Sequence, residues 1–269
     1  MIKTDTICGK NFVMDYSRFG DGERTMVLIP GVSLLPVTPL VDFIARQYAV
    51  MTEDFTIYLF DRKRDISNSY TVEEMADDTA EAMRALGIAD AYLYGCSQGG
   101  MIAQVIAARY PELVARLAVC STMASIGDVT APTLNEWSSY AAAGDMLSFV
   151  RSFHNAVYSE AHRRSHPKLL KQMEMIVPKI DAVRVRQLVD ACLAFDATAL
   201  LPFIRCATLV IASEQDEVLG VEPSRRLAEA LACRLVVYPS SGHAVFDEVP
   251  EVLLQVRGFF LEADARKPR

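Results

Sequence analysis

Gly95-Cys96-Ser97-Gln98-Gly99 is the stretch of this 269-residue chain best suited to chemistry, and it has the form G-x-S-x-G. It follows a short apolar run at residues 91–94 that reads as a buried strand. It opens an apolar helical stretch at residues 99–110. A turn this tight leaves room only for small flanking residues, which accounts for glycines two positions before and two after the serine. The serine is forced to the top of the turn with its Oγ exposed. The helix N-terminus below it offers free N–H groups and a positive partial charge. A serine so held is suited to attack a carbonyl; the bland alternative is a solvated serine on a plain turn.

The elements that must position this serine alternate along the chain. Residues 12–18 and 25–29 read as strands around an Asp21-Gly22 turn, which predicts an antiparallel hairpin. Leu40, Phe43, Ile44 and Tyr48 fall at helical spacing, and residues 56–60 are β-rich. Thr71 and Glu74 form a capping box for a helix that runs on through Met75, Thr79, Met83 and Leu86 and ends at Gly87. Residues 117–120 read as a strand. From there the strand signal disappears, and residues 134–200 read as several helices. Strands return at 208–212 and 234–238, joined by a helix at 223–232. A last amphipathic helix covers 251–261, and the tail at 266–269 is expected to fray. Strands alternating with helices predict an α/β fold with a mainly parallel sheet covered on both faces. The helical block reads as an inserted cap at 123–201 within a core domain formed by 1–122 and 202–269.

Composition bounds the partners. The chain is 51% hydrophobic and 23% charged, with 27 basic against 34 acidic residues and a net charge of −7. That balance argues against nucleic acid, which needs a basic face, and against anionic lipid. The longest apolar runs, such as residues 26–29, are too short to span a bilayer. The start, Met1-Ile2-Lys3-Thr4-Asp5-Thr6, is polar and lacks the apolar stretch of a signal peptide, so a cytoplasmic protein is expected. Six dispersed cysteines, with no C-x-x-C pair, suggest neither a zinc site nor a disulfide framework, and most read as small buried hydrophobes.

The run Leu93-Tyr94-Gly95-Cys96-Ser97-Gln98-Gly99-Gly100-Met101 resembles the nucleophile elbow of the α/β-hydrolase family, and the likeness continues through Ala103-Gln104 and Tyr110-Pro111-Glu112. The resemblance implies the α/β-hydrolase fold and a catalytic triad in the chain order serine, acid, histidine. Asp216 is then the expected acid, three residues beyond Ser213, which stands where the family usually carries glycine; Glu214 and Glu217 are its rivals. His243, in Ser241-Gly242-His243-Ala244 just after the last strand, is the expected base. His154, His162 and His166 lie in the helical insert, where His162-Arg163-Arg164-Ser165-His166 reads as a solvated helix end and not a metal site. The resemblance also implies an oxyanion hole from the N–H groups of Val32 and Gln98. Pro30-Gly31-Val32 departs from the family's usual His-Gly by carrying Pro30, but Gly31 still permits the backbone path. Asp61-Arg62 stands where the family has a similar pair, and these charges read as structural or solvated.

The function implied is that of a carboxylesterase-like serine hydrolase. It would cleave an ester, lactone, thioester or related carbonyl bond of a small apolar substrate through an acyl-enzyme, with no cofactor and no metal. Carbon–carbon bond hydrolases and cofactor-free peroxidases share the triad and are alternatives. A non-catalytic small-molecule receptor on the same fold is an alternative of another class. A serine at the elbow argues against dehalogenase or epoxide hydrolase chemistry, which uses aspartate there. The partner expected is a small-molecule substrate, without nucleic acid or membrane, and a homodimer is left open. Leu134, Trp137, Tyr140, Met146, Phe149, Phe153 and Tyr158 are expected to form the cap's interior, with some of them lining the pocket.

Overall fold

The computed structural model describes residues 1–66, 69–126 and 131–262. The tail expected to fray lies outside them. Eight strands form one sheet: β1 (Lys3–Cys8), β2 (Val13–Phe19), β3 (Arg24–Ile29), β4 (Phe55–Phe60), β5 (Ala91–Cys96), β6 (Val114–Cys120), β7 (Ala207–Ser213) and β8 (Arg234–Tyr238). Their spatial order is β1-β2-β4-β3-β5-β6-β7-β8. Strands β3 to β8 run parallel to one another, while β1 and β2 add an antiparallel edge.

One reading from sequence is corrected here, and one strand is added to it. The polar start of the chain contains strand β1, which pairs with β2 in the register Lys3↔Arg18 to Cys8↔Val13. Strands β2 and β3 form no hairpin, because β4 lies between them. The physical reason is burial. Met26, Val27, Leu28 and Ile29 of β3 are all at most 3% exposed, on both faces of the sheet, and such a strand must be central. The Asp21-Gly22 turn instead carries the chain past the start of β4. A side-chain carbon on Gly22 would sit 1.9 Å from the Asp54 backbone carbon, so only glycine passes there.

Alternation at period two divides the core. In β5, Ala91 and Leu93 join one hydrophobic cluster and Tyr94 and Cys96 the other. Helices α1 (Val41–Gln47) and, later in the chain, α10 (Val245–Glu248) and α11 (Glu251–Leu261) cover the second cluster. The first is covered by α2 (Val72–Ala85), α3 (Gln98–Arg109) and α9 (Glu222–Ala230). Helix α2 starts on the capping box read from sequence: Thr71 Oγ1 accepts from Glu74 N–H at 3.2 Å and Glu74 Oε2 accepts from Thr71 N–H at 2.8 Å. Gly87 follows its end at φ +71°.

Between β6 and β7 the described residues form five α-helices: α4 (Pro132–Ala143), α5 (Met146–Val157), α6 (Glu160–Ser165), α7 (Leu169–Met175) and α8 (Ala182–Leu193). Trp137, Phe149 and Phe153 pack ring against ring within this insert, with centroids 5.0–6.1 Å apart. Cys96, Cys120 and Cys192 are buried, Cys206 and Cys233 half-buried, and Cys8 on the sheet edge exposed. No helix among the described residues is long and apolar enough to cross a membrane.

Candidate active site

Ser97 sits between β5 and α3 with φ 53° and ψ −121°, a conformation that side chains other than glycine rarely adopt. The strain is held by its surroundings. Ser97 N–H donates to Cys120 O at 2.8 Å, and Ser97 O accepts from Gly100 N–H at 2.9 Å and Thr122 Oγ1 at 2.8 Å. The glycines of the motif are required by contact. A side-chain carbon on Gly95 would lie 2.3 Å from Gly99 O, and one on Gly99 would lie 1.9 Å from Ile29 O. The turn therefore presses β5, α3 and the end of β3 together and leaves Ser97 at the carboxyl edge of the sheet.

The same edge receives Asp216 after β7 and His243 after β8. Asp216 Oδ2 accepts from His243 Nδ1 at 2.8 Å, and both side chains are under 7% exposed. Asp216 Oδ1 is fixed by Val218 N–H at 2.8 Å and Leu219 N–H at 2.9 Å, so the carboxylate cannot turn away. With Nδ1 bonded to the carboxylate, Nε2 is the ring nitrogen left to act as a base. The rivals point elsewhere: Glu214 pairs with Arg225, and Glu217 contributes to a separate surface groove. Ser213, in the family's glycine position, is fully buried at the end of β7, and its hydroxyl donates to Ser241 O. It ties the acid loop to the histidine loop, a role that its sequence position did not reveal. The histidine loop also leans on the insert, since Ala244 N–H donates to Val157 O at 2.9 Å.

Val32 and Ser97 line one cavity, and Gln98 is buried directly beneath as the first residue of α3. The N–H of Gln98 is among those a helix start leaves without an intrahelical acceptor. Gly31 is tight here as well: a side-chain carbon would sit 3.1 Å from Ser97 Cβ and 3.6 Å from its Oγ. Asp61 and Arg62 are each 4% exposed, so of the two readings, structural or solvated, the solvated one falls. Asp61 accepts from Val37 N–H and from Thr38 N–H and Oγ1 at 3.0–3.2 Å. Arg62 Nη2 donates to Pro30 O at 2.7 Å and to Gln98 Oε1 at 3.4 Å. Burial pulls the guanidinium down to about 10, still charged at neutral pH. Arg62 thus joins the two backbone segments that carry the expected oxyanion donors. Gln98 Nε2 extends the link to α8 through Leu188 O at 2.6 Å.

The cavity has a volume of about 200 Å³ and is lined by Ser97, His243, Val32 and mostly apolar side chains. Ser97 and His243 share it without a hydrogen bond between them among the described contacts; such bonds often tighten only once substrate is bound. Of the insert residues expected inside, Leu134, Trp137, Phe153 and Tyr158 reach the cavity, while Met146 and Phe149 are buried within the insert. Tyr140 borders the separate groove. In the insert, His154 is buried, which holds its imidazole below the usual histidine value. His162 and His166 stack with centroids 4.1 Å apart. Among the lining residues that sequence reasoning missed is the charged Asp247, four residues beyond His243. Its spacing after the Gly-His pair was the available signal, and an acid four residues from a base reads as surface until the wall is built.

A family model described as the alpha/beta hydrolase fold matches residues 29–250. A protein of Caulobacter sp. (strain K31) named as a carbamate hydrolase, RutD, is 27% identical over 241 residues, covering 83% of this chain and 87% of its own length. Among solved structures, the α/β-hydrolase enzyme MGS-M2 from a Medee basin deep-sea metagenome library superposes with a TM-score of 0.87 at 24% identity. It covers 98% of this chain and 100% of its own. The enol-lactonase of Burkholderia xenovorans LB400 superposes with a TM-score of 0.83 at 21% identity, covering 96% and 100%.

Proposed function

The chain belongs to the α/β-hydrolase fold family, and from that premise we propose that it is a serine hydrolase in which Ser97, His243 and Asp216 form the catalytic triad. The observation that carries this reading is the 2.8 Å bond between Asp216 Oδ2 and His243 Nδ1 at the wall of the cavity that holds the strained Ser97. The substrate is a carbonyl compound with a small apolar body, an ester, lactone, thioester or similar. Carbamates and enol-lactones, for which relatives are named, fall in the same chemical range.

In the first step His243 Nε2 takes the Ser97 hydroxyl proton as Oγ bonds to the carbonyl carbon. Asp216 holds the imidazole in the correct tautomer and stabilises its charged form. Negative charge on the carbonyl oxygen is received by the N–H groups of Val32 and Gln98, helped by the positive end of α3. Collapse of the tetrahedral species expels the leaving group, protonated by His243. Water, deprotonated by His243, then attacks the acyl-enzyme and frees the acid and Ser97. Helices α4 to α8 serve as the cap over residues 123–201, and Arg62 positions the oxyanion donors from behind.

The test is covalent labelling with a fluorophosphonate probe beside hydrolysis of p-nitrophenyl esters, lactones and thioesters. Labelling is expected at Ser97 and absent in Ser97→Ala, with turnover of the best substrate lowered by roughly 10⁴- to 10⁶-fold. Retained turnover in that variant would overturn the triad. A folded wild-type protein that neither labels nor hydrolyses any substrate would point to a receptor.

A further inference from the structure

The cavity beside Ser97 is mostly apolar, and Asp247 is the one charged residue of its described lining that the triad does not use. Leu134, Trp137 and Phe153 form its insert side, and Asp247 stands in the opposite wall at the start of the segment that follows His243. Asp247 is exposed, and it lines both this cavity and a second groove beside Ser159, His162 and His166. Two neutral groups donate to its carboxylate: Gln47 Nε2, at 3.4 Å from Oδ1, and the Tyr158 hydroxyl. An ionised carboxylate has about four acceptor positions, so acceptor capacity is left facing the cavity. Asp247 forms no ion pair among the described residues, and the charged group that acts on it is Glu248, of like sign.

We propose that Asp247 sets the substrate class: the small apolar body of the substrate carries an ammonium or another N–H donor, which the Asp247 carboxylate holds while the carbonyl lies at Ser97. This deepens the serine hydrolase reading and rests on it. A charge-assisted bond to an ionised carboxylate is roughly twice as strong as a neutral one and is directional. The aromatic faces of Trp137, Phe153 and Tyr158 in the same cavity also favour a cation. A substrate bearing a carboxylate meets like charge and is excluded. Loss of solvent pushes the Asp247 carboxyl up to about 6, so it is ionised at neutral pH and relieved when a cation binds.

Trp137, the one tryptophan of the chain, lines the cavity and reports binding without any turnover. Its fluorescence is titrated with benzylammonium, benzyl alcohol and benzoate. Benzylammonium is expected to bind at least about tenfold more tightly than benzyl alcohol, and benzoate more weakly than either. The isosteric Asp247→Asn should bring the first two within about threefold of each other. In parallel, the ratio of kcat/KM for the p-nitrophenyl esters of 6-aminohexanoate and hexanoate should fall about tenfold in Asp247→Asn. Equal affinity for the three ligands in the wild-type protein, or a preference that Asp247→Asn keeps, would sink the proposal. The wild-type titration decides it even if the variant does not fold. Ser97 labelling without charge preference overturns this inference alone; charge preference without labelling or turnover overturns the hydrolase reading alone.

Discussion

His243 is offered one tautomer by its surroundings, because Asp216 Oδ2 takes the Nδ1 proton at 2.8 Å and two backbone N–H groups keep Asp216 from rotating. In Asp216→Asn the amide can present its NH₂ to Nδ1, which favours the wrong tautomer while leaving the shape intact. A fall in kcat of about 10⁴-fold, with the melting temperature little changed, is the expected result in a steady-state assay. Asp247 presents the opposite case, a carboxylate its environment disfavours. Its value rises from 3.8 to about 6, first through loss of solvent and then through the nearby Glu248, against the lowering effect of Gln47 and Tyr158. The protonated form is therefore the one the fold prefers. The contribution of Asp247 to stability is complete below its unfolded value of 3.8 and is lost as pH rises through about 6. Asp247→Asn escapes that loss. Thermal melts should show its advantage over the wild type larger at about pH 8 than at about pH 4; an advantage independent of pH would contradict the ionised wall group. Destabilisation tolerated at such a position is what a site that binds a cation would show.

The turn around Ser97 is an element held by close approach, and the glycines of the chain are of two kinds. Gly99→Ala would place a carbon 1.9 Å from Ile29 O, a backbone atom that cannot step aside without moving β3. The protein is expected to be insoluble or to melt well below the wild type. Gly258 is different: it sits exposed within α11, with open space around a built side-chain carbon and no positive φ. Gly258→Ala should stabilise the chain by about 0.5–1 kcal/mol, through better helix propensity and a less flexible unfolded state. A thermal melt that moves down in the second variant would contradict the open space described there.

The insert and the sheet are packed as one body. Leu134, Trp137, Phe149, Val185 and Leu188 of the insert belong to the same buried cluster as Leu93, Met101 and Ile102 of the sheet and α3. Arg184 at the start of α8 donates to Lys63 O at 2.8 Å, and Gln98 reaches the same helix. Unfolding should therefore be a single transition. Urea titrations followed by Trp137 fluorescence, which reports the insert, and by far-ultraviolet circular dichroism, which reports the whole chain, are expected to coincide. Separate midpoints would mean that the insert opens on its own and that access to Ser97 is set by that opening.

Ser97 was legible because a nucleophile elbow is a local object: five residues, two glycines and the change from strand to helix define it, and the sterics act between neighbours. Helix α2 was legible for the same reason, through Thr71, Glu74 and Gly87. The strand order was not, since β4 enters between β2 and β3 only when residues 26–29 of β3, buried on both faces, take a central place in the sheet. Nor were the burial of Arg62, the bridge from Ser213 to the histidine loop, and the cavity face of Asp247, whose partner Gln47 is 200 residues away. Those depend on which distant backbones pack together, and packing is a property of the assembled layers rather than of any short stretch of chain.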